Sequence, residues 1–421
     1  MKGENSMKKY LSLFLALLLV ALCAVSFISA SEETESFDKG YVDVTDFGAF
    51  GQDKDVDTEA FVKALATGKN IYVPEGNYYV SKTVKLSDRI LRGCEPGSSR
   101  IYGTMTDKTA PIVLMEGISS LYDIMIDYSD SKSCIDANAG EKVGVQLGSA
   151  EKGLMPGSVL RSVRFHNIGT GIYNPANAEC NGVLIENIEI YQYYRGIDMH
   201  GENRVGNSYS NVYINYHNTE KAIVVDCGFA LEGSSYGETI HQLNVEHNTY
   251  KTASAILKNA KNFNISVMHF EGVNLLNDDS GWLYCENSSG YIGTLTNYFT
   301  YMNSRKNSMI RLGDSDGTNK IVIGTLHNRG LNAPDTNSHT DWVAEIAERG
   351  LEKGMITGGV YAKDFVLFRR AKGAKGEYEI TLDFYSYYYY KKGETPYYLN
   401  YMDKNDNIKF TIKHKPEEAA L

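Results

Sequence analysis

A repeat of about 25 residues runs through the middle of the chain and limits the folds that it can adopt. Seven segments carry an apolar residue followed three positions later by another, and their starts lie 25, 24, 31, 25, 27 and 31 residues apart. The segments begin at Leu160, Ile185, Tyr209, Ile240, Ile265, Ile292 and Ile323, and an eighth copy is expected at 121–127. One turn of short strands cannot bury its own apolar face, so consecutive turns must stack on one another.

A second apolar pair follows each of the first six segments at a growing offset. The pairs are Gly171-Ile172, Gly196-Ile197, Ala222-Ile223, Ala255-Ile256, Gly281-Trp282 and Met309-Ile310. Both sets carry apolar residues with a period of two, which indicates strands that face a common core. The Asn-Gly hairpin signal occurs only at Asn181-Gly182. The sequence therefore predicts an all-β solenoid of parallel strands.

A capping helix is predicted before the repeat begins. Asp57 is the expected N-cap of a helix that runs to Leu65, and Phe61 and Ala64 share an apolar face with Leu65. A helix over the open end of the first turn would cover apolar side chains and a strand edge.

The opening segment resembles the pectate-lyase-like superfamily, which includes rhamnogalacturonases, tailspike hydrolases and alginate epimerases. The resemblance rests on Asp46-Phe-Gly-Ala49, on the predicted helix and on the strand with a turn at 71–80. It covers 43–93 well and extends over the solenoid only as a pattern. The run Asp53-Lys-Asp-Val-Asp57 departs from the family's usual Gly-Asp-Gly. The resemblance implies a single-stranded right-handed parallel β-helix with an N-terminal capping helix and a β-rich C-terminal cap.

Residues 1–30 are predicted to be a signal peptide. Two lysines precede an apolar run at 10–28, and small residues follow at 29–31. An uncleaved membrane anchor is the alternative, because the run is nearly long enough to span a bilayer. We therefore expect a secreted, extracellular chain with no stable membrane insertion after cleavage.

The mature chain is expected to hold a β-helix over 31–335 and a cap or β-rich tail over 336–421. The tail contains a predicted helix at 341–351 and tyrosine-rich strands within 378–414, which form an end cap or a sugar-stacking surface. The net charge of −10 argues against nucleic acid as a partner and leaves a polysaccharide or oligosaccharide as the favoured one. The sequence leaves a homo-oligomer open.

Equivalent positions of stacked turns form columns, and successive residues of one column lie about 4.8 Å apart. The fourth and the sixth residue after each segment start are predicted to point outward. The fourth-position column is Arg164, Glu189, Tyr213, Asn244, His269, Thr296 and His327. The sixth-position column is His166, Tyr191, Asn215, Glu246, Glu271, Tyr298 and Arg329. Both would line one groove, in which Tyr191 and Asn215 are expected to bind substrate.

Glu246 and Glu271 are the first candidate catalytic pair. Like charges on adjacent rungs repel, so the pair persists if it shares a proton, if a cation lies between the carboxylates, or if the side chains diverge into solvent. A shared proton gives the acid and the nucleophile or base of glycoside hydrolysis. A bound Ca²⁺ would instead neutralise a uronate while a base such as His269 or His247 removes the C5 proton, as in a lyase. Diverging side chains would have no catalytic role.

A second constellation lies on the neighbouring strand. Asp198 and His200 are predicted to point outward, and Asp226 is predicted to lie one rung from His200. Asp198 and Asp226 are candidate acid/base residues, while Arg195 and His200 are expected to hold an acidic sugar. The alternative is an exposed turn with ordinary charge pairs.

The favoured function is a secreted enzyme that cleaves a polysaccharide, with hydrolysis ahead of elimination. C5 epimerisation, fructosyl transfer and a non-catalytic glycan-binding surface protein remain alternatives, because this fold hosts several reactions. Of the polygalacturonase motifs only an isolated Asp278-Asp279 occurs, so those catalytic residues do not transfer. Hydrolysis requires no cofactor, no metal-ligand set is assigned, and Ca²⁺ enters only with the lyase alternative.

Overall fold

Parallel strands stacked as a right-handed β-helix make up most of the secondary structure in the part of the chain that the structure describes. The computed structural model describes residues 40–52, 56–128, 136–215, 224–247, 249–272, 274–275, 281–298, 308–312, 319–329, 359–362, 365–370, 378–384, 399–402 and 408–414. The predicted fold class is confirmed.

The main ladder is the run of strands that carries the sequence repeat. Its strands are Tyr41–Asp43, Asn70–Val73, Ile90–Gly93, Ser120–Tyr128, Val159–Asn174, Leu184–Met199, Ser208–Asn215, Thr239–Glu246, Ala260–Glu271, Ser289–Tyr298, Asn319–Arg329, Tyr378–Phe384 and Ile408–His414. Strands Gly76–Val80 and Ser99–Gly103 join it through Ser120–Tyr128.

The second ladder closes the turns on another face. It contains the later parts of Val159–Asn174 and Leu184–Met199 together with Val84–Ser87, Val113–Glu116, Val143–Leu147, Cys227–Leu231, Ala253–Lys258, Gly281–Glu286, Ser308–Leu312 and Phe365–Arg370. The remaining short strands are Arg204–Val205, Ser235–Tyr236, Val224–Val225, Thr249–Tyr250, Asn274–Leu275, Gly359–Ala362 and Leu399–Met402.

The register of the main ladder is the predicted one. Each of the seven segment starts pairs with the next, from Leu160 with Ile185 through Ile292 with Ile323. The residues three positions later are fully buried: Val163, Ile188, Val212, Leu243, Met268 and Leu295. Each such side chain contributes roughly 1.5–3 kcal/mol when removed from water, so this stack is a main source of stability.

A left-handed residue explains why apolar residues recur three positions apart instead of two. Ser162, Asn187 and Asn211 have φ of 55°, 53° and 52° and turn the chain from one face to the next. Asparagine tolerates this conformation better than most residues. The Asn211 amide also donates to the Asn187 side-chain oxygen at 2.9 Å, which links adjacent corners.

One predicted strand of the second ladder is wrong. Ile197 pairs with Phe229, and Phe229 pairs with Ala255, so strand Cys227–Leu231 takes the place assigned to Ala222-Ile223. Residues 216–223 lie outside the described part of the chain. In this turn the interval between the main-ladder strand and the second-ladder strand is longer than in the neighbouring turns. The sequence alignment therefore assigned the wrong residues to the second ladder.

The capping helix spans Thr58–Ala66, with a 3-10 turn at Val44–Phe47 before it. Phe61 is fully buried and meets Tyr78 edge to face at 6.1 Å, and Leu65 packs half-buried on the core. Asp57 stands at the N-cap but makes no side-chain cap bond. Its carboxylate accepts instead from the backbone of Phe50 and of Tyr79, both at 2.8 Å, which ties the helix to neighbouring segments.

The parallel ladder does not end at residue 335. Strand Tyr378–Phe384 pairs in parallel with Asn319–Arg329 and with Ile408–His414. The division at 335 and the role of 336–421 as a cap stay predictions, and the expected signal peptide at 1–30 and helix at 341–351 lie outside the described residues. Among the residues that the structure describes, no helix has the length and apolarity needed to cross a membrane.

Candidate functional site

The register pairs the residues of the fourth-position column with one another from rung to rung, and those of the sixth-position column likewise. Arg164, Glu189 and Tyr213 are lateral partners of one another along the fourth-position column, and Glu246 pairs with Glu271 in the sixth. Both columns follow the same leg of the main ladder, so their outward side chains share one surface. We call the described part of this surface the strip.

Three ionisable side chains meet on the strip: Glu246, His269 and Glu271. His269 Nε2 lies 3.2 Å from Glu271 Oε2 and 3.9 Å from Glu246 Oε1. His269 Nδ1 lies 2.6 Å from Thr296 Oγ1, which fixes the ring. The side chains of Glu246, His269 and Glu271 are 10%, 19% and 30% exposed, so Glu271 is the most accessible of the three.

A proton lies between His269 and Glu271 in every hydrogen-bonded arrangement. If the Thr296 hydroxyl donates to Nδ1, then Nε2 carries hydrogen and donates to Glu271; if Nδ1 donates to Thr296, then either the ring is an imidazolium or Glu271 is protonated and donates to Nε2. The hydrogen bond between His269 Nε2 and Glu271 Oε2 therefore carries one proton.

A tyrosine and an asparagine support Glu246 from the preceding rung. Tyr213 Oη donates to Glu246 Oε2 at 2.8 Å, and Asn215 Nδ2 donates to Tyr213 Oη at 2.6 Å. Burial and the Glu246 hydrogen bond raise the pKa of Tyr213 to about 12, so its hydroxyl remains a donor at neutral pH. The Tyr191 ring meets the Tyr213 ring edge to face at 6.2 Å. Asn215 is fully buried and positions Tyr213, whereas it was expected to contact substrate.

His247 occupies a backbone corner beside the same carboxylate. Its φ is 48°, and its Nδ1 lies 3.6 Å from Glu246 Oε2. Asn167 holds the same corner of an earlier turn at φ 52°, and Gly272 holds it on the next rung at φ 58°. A Cβ on Gly272 would lie 2.7 Å from His247 Cδ2, so the bare glycine makes room for the imidazole.

One ligand atom from each of Glu246, His269 and Glu271 lies within 4.8 Å of the other two. This spacing suits a proton relay between the carboxylates or a divalent cation. Two carboxylates and an imidazole fit a cation with mixed oxygen and nitrogen ligands, whereas Ca²⁺ prefers oxygen alone. A Ca²⁺ dependence therefore stays a prediction.

The second constellation forms a compact ion network around Arg195. Its guanidinium contacts Asp226 and Asp198 at 2.7 Å and Glu232 at 2.9 Å. His200 Nε2 lies 2.8 Å from Asp198 Oδ1. Asp198 is fully buried because Arg195 and His200 cover it, although the sequence pattern placed it outward on the surface.

Two expectations for this network are corrected by the register. Met199 pairs with Leu231, so the residue one rung from His200 is Glu232 and not Asp226. Asp226 lies beside Arg195 and accepts from Thr252 Oγ1 at 2.9 Å. Because three carboxylates occupy the donors of Arg195, its guanidinium is engaged within the protein and is a poor holder of an acidic sugar.

His200 keeps one ring nitrogen free of Asp198. Burial lowers the pKa of His200, but the hydrogen bond and charge of Asp198 and the charge of Glu232 outweigh it, so the pKa lies above its usual value. Oδ2 of Asp198 is buried without a hydrogen-bond partner. The network is therefore a cluster of ion pairs, and the His200 imidazole at its edge can gain or lose a proton.

Sequence reasoning missed a buried pair inside the solenoid. Arg204 and Glu238 are both fully buried, with Arg204 Nε 3.5 Å from Glu238 Oε1 and Asn207 Nδ2 donating to the same oxygen at 3.2 Å. Burial raises the pKa of Glu238 to about 7, against the lowering effects of Arg204 and Asn207. In the sequence both residues look like ordinary surface charges.

Several known proteins are similar to all or part of this chain. A sequence model of the family described as rhamnogalacturonase A/epimerase, pectate lyase-like, matches residues 41–92. A pre-neck appendage protein of Bacillus phage B103 is 42% identical over 53 residues, which are 12% of this chain and 6% of the phage protein. The Agl-KA catalytic domain superposes with a TM-score of 0.51 and 16% identity, covering 89% of this chain and 69% of that chain. The catalytic unit of an alpha-1,3-glucanase from Streptomyces thermodiastaticus gives a TM-score of 0.38 and 14% identity, over 70% of this chain and 64% of that one.

Proposed function

We propose that this chain, a right-handed parallel β-helix of the pectate-lyase-like superfamily, is a secreted enzyme that hydrolyses a polysaccharide. The observation that carries the proposal is the meeting of Glu246, His269 and Glu271 on the strip. A solved structure with the same fold is a catalytic domain, which shows that this scaffold can support catalysis. The apolar run at 10–28 supports secretion.

The spacing of the two carboxylates favours a retaining mechanism. Glycosidases that retain configuration place their carboxyl groups about 5–5.5 Å apart, whereas inverting enzymes need roughly 6.5–9.5 Å to admit a water. Glu246 and Glu271 each bring a carboxylate oxygen within 4.8 Å of the other.

The surroundings of the two carboxylates support a separate role for each. Glu271 shares a proton with His269 and is the more exposed carboxyl, so it protonates the leaving oxygen and then activates water. Glu246 is held by the Tyr213 hydroxyl in a fixed orientation and attacks the anomeric carbon. His269 orients Glu271 and returns a proton to its carboxylate, and it does not contact the sugar.

Elimination is the second candidate, because two imidazoles flank the carboxylates. His269 Nε2 and His247 Nδ1 both face Glu246, at 3.9 Å and 3.6 Å. Either ring could remove the C5 proton of a uronate if a cation neutralised its carboxylate. This route needs a metal, and hydrolysis does not.

A polysaccharide panel with matched variants tests the proposal. The panel contains polygalacturonate, alginate, xylan and soluble α-1,3-glucan, and products are followed by reducing ends and by ultraviolet absorbance of unsaturated uronate. Glu246→Gln and Glu271→Gln keep the side-chain shape and should each lower activity at least about a hundredfold. Glu186→Gln is the control, because Glu186 pairs with Arg161 on another leg of the turn.

Three outcomes separate the alternatives. Reducing ends without ultraviolet absorbance, lost in both Gln variants, support hydrolysis at this site. Absorbance that chelation by EDTA abolishes supports the lyase. Full activity in both Gln variants refutes the site.

A further inference from the structure

A narrow face of the solenoid lies between the end of the second ladder and the start of the main ladder. Its short strands and bridges stack in parallel, with Asn181 beside Val205 and Val205 beside Tyr236. On the preceding rung Leu154 pairs with Cys180, and the residues after these two are further members of the same outward column. We call this column the ridge, and its members are Met155, Asn181, Val205 and Tyr236.

The ridge is largely apolar although it faces solvent. Met155, Val205 and Tyr236 are 41%, 51% and 56% exposed. Three spacings of about 4.8 Å separate the first of them from the last, so the column is about 14 Å long. The outward columns of the strip, by contrast, carry mostly polar and charged residues. Neighbouring apolar side chains exposed on one face are typical of a surface that contacts another molecule.

A groove without side chains runs beside the ridge. Gly182, Gly206 and Gly237 each follow a ridge residue in the chain and have φ of 59°, 66° and 71°. Backbone corners in this conformation favour glycine. A Cβ on Gly206 or on Gly237 would meet no atom within 4 Å. The groove, defined by these three glycines, therefore has open space directly beside Val205 and Tyr236.

The face itself is uncharged, and its two edges differ in charge. None of the residues in the ridge, in the groove or in the next outward column is charged; that column is Val159, Leu184, Ser208 and Thr239. On the second-ladder side, just before the ridge, Glu179 and Glu202 are exposed. On the main-ladder side lie Arg161, its partner Glu186, and the exposed His241. One edge is therefore acidic, and the other has no excess of negative charge.

These features fit a second copy of the chain. Two copies of a protein with a net charge of −10 repel each other, so they approach most easily through an uncharged face. A twofold axis parallel to the solenoid axis would bring the ridge of one copy to the groove of the other, and the acidic edge to the edge with Arg161. An antiparallel pair would instead place ridge on ridge and the acidic edge against itself. The face is thus complementary to itself in the parallel arrangement.

We propose that this face joins two copies of the chain side by side and parallel, with Val205 and Tyr236 of each copy packed into the groove of the other. Both copies have the same spacing of about 4.8 Å between rungs, so the contacts stay in register along the ridge. The strip lies beyond the left-handed corners at Asn187 and Asn211, so the pairing does not involve it. Dimer formation through this face does not depend on the catalytic proposal.

Sedimentation equilibrium of the full chain over a range of concentrations tests the dimer. The wild-type protein should have the mass of two chains. Tyr236→Asp and Val205→Asp should each raise the dissociation constant of the dimer at least about a hundredfold, because a carboxylate is then buried in an apolar contact. Val62→Asp is the matched control, because Val62 is 48% exposed on the capping helix and the variant adds the same charge away from the face.

A groove variant tests the same contact without adding charge. Gly237→Asn keeps the left-handed corner, which asparagine tolerates, and places a side chain in the groove. It should raise the dissociation constant about tenfold. The proposal is overturned if the wild-type protein has the mass of one chain or of three at every concentration. It is also overturned if Tyr236→Asp or Gly237→Asn dimerises as tightly as Val62→Asp.

Cross-linking tests the parallel arrangement. In the parallel pair the two Tyr236 residues share a rung, whereas in an antiparallel pair centred on the ridge they lie about 14 Å apart along the axis. Tyr236→Cys should therefore give a covalent dimer with a short bismaleimide. The parent chain, which already has an exposed Cys94, is the control and should not. Cross-links between Tyr236→Cys and Met155→Cys chains, without any between two Tyr236→Cys chains, would contradict the parallel arrangement.

Discussion

Phe61→Asp tests whether the N-terminal helix stabilises the solenoid by covering its first turn. Phe61 is fully buried and contacts Tyr78, so the substitution removes a large apolar side chain and places a carboxylate in the core. Loss of a buried phenylalanine costs about 3–5 kcal/mol, and an unpaired buried charge adds to it. We therefore expect a loss of at least about 4 kcal/mol, which is a large part of the stability of an ordinary domain.

Urea denaturation followed by circular dichroism measures this loss, with Val62→Asp as the control. Val62 lies on the same helix and is 48% exposed, so its variant should change the free energy of unfolding by less than about 0.5 kcal/mol. Amide hydrogen exchange should also accelerate in strands Asn70–Val73 and Val84–Ser87, which pack against the helix. Equal unfolding free energies for the two variants would refute the capping role.

Three more predictions concern titratable and strained positions. The folded pKa of Glu238 is raised to about 7 from 4.5, so its stabilising contribution is complete below pH 4.5 and is lost as the pH rises to 7. In urea titrations across this range, the wild-type protein should lose about 3 kcal/mol of unfolding free energy relative to Glu238→Gln. A difference between the two proteins that does not change with pH would contradict this. Gly272→Ala and the control Gly206→Ala both strain a left-handed residue by about 1–2 kcal/mol. Only Gly272→Ala should displace the His247 ring and change the pH profile of activity. The same pH profile in both variants would show that the contact between Gly272 and His247 does not affect activity. Arg195→Met leaves the carboxylates of Asp198 and its neighbours uncompensated and should destabilise the protein by about 3–5 kcal/mol; an unchanged Tm would show that the network is dispensable.

The register of the main ladder could be predicted from the sequence because burial repeats once per turn. A slip of one residue would place Val163 or Met268 in solvent, so the apolar pattern allows only one alignment. The outward columns follow from that alignment, which is why Glu246 and Glu271 were found as neighbours. The left-handed corner at Asn187 was not foreseen, because its spacing of three residues resembles a helical period.

Contacts that depend on the loops between strands could not be predicted. The offset from the main to the second ladder changes with loop length, so Asp226 was placed beside His200 when the structure places it beside Arg195. Glu232 was missed for the same reason. Arg204 and Glu238 carry charges that a sequence pattern assigns to the surface, although neighbouring polar groups allow their burial.

The configuration of the first product tests the central claim that Glu246 and Glu271 hydrolyse a glycosidic bond as a close pair. Proton NMR of the wild-type reaction, recorded within the first minutes on the polysaccharide that is cleaved, shows the anomeric configuration before mutarotation. The carboxylate separation within 4.8 Å predicts that the configuration of the cleaved bond is retained. An inverted anomer, or a product with an unsaturated ring, would contradict the assignment of these two residues.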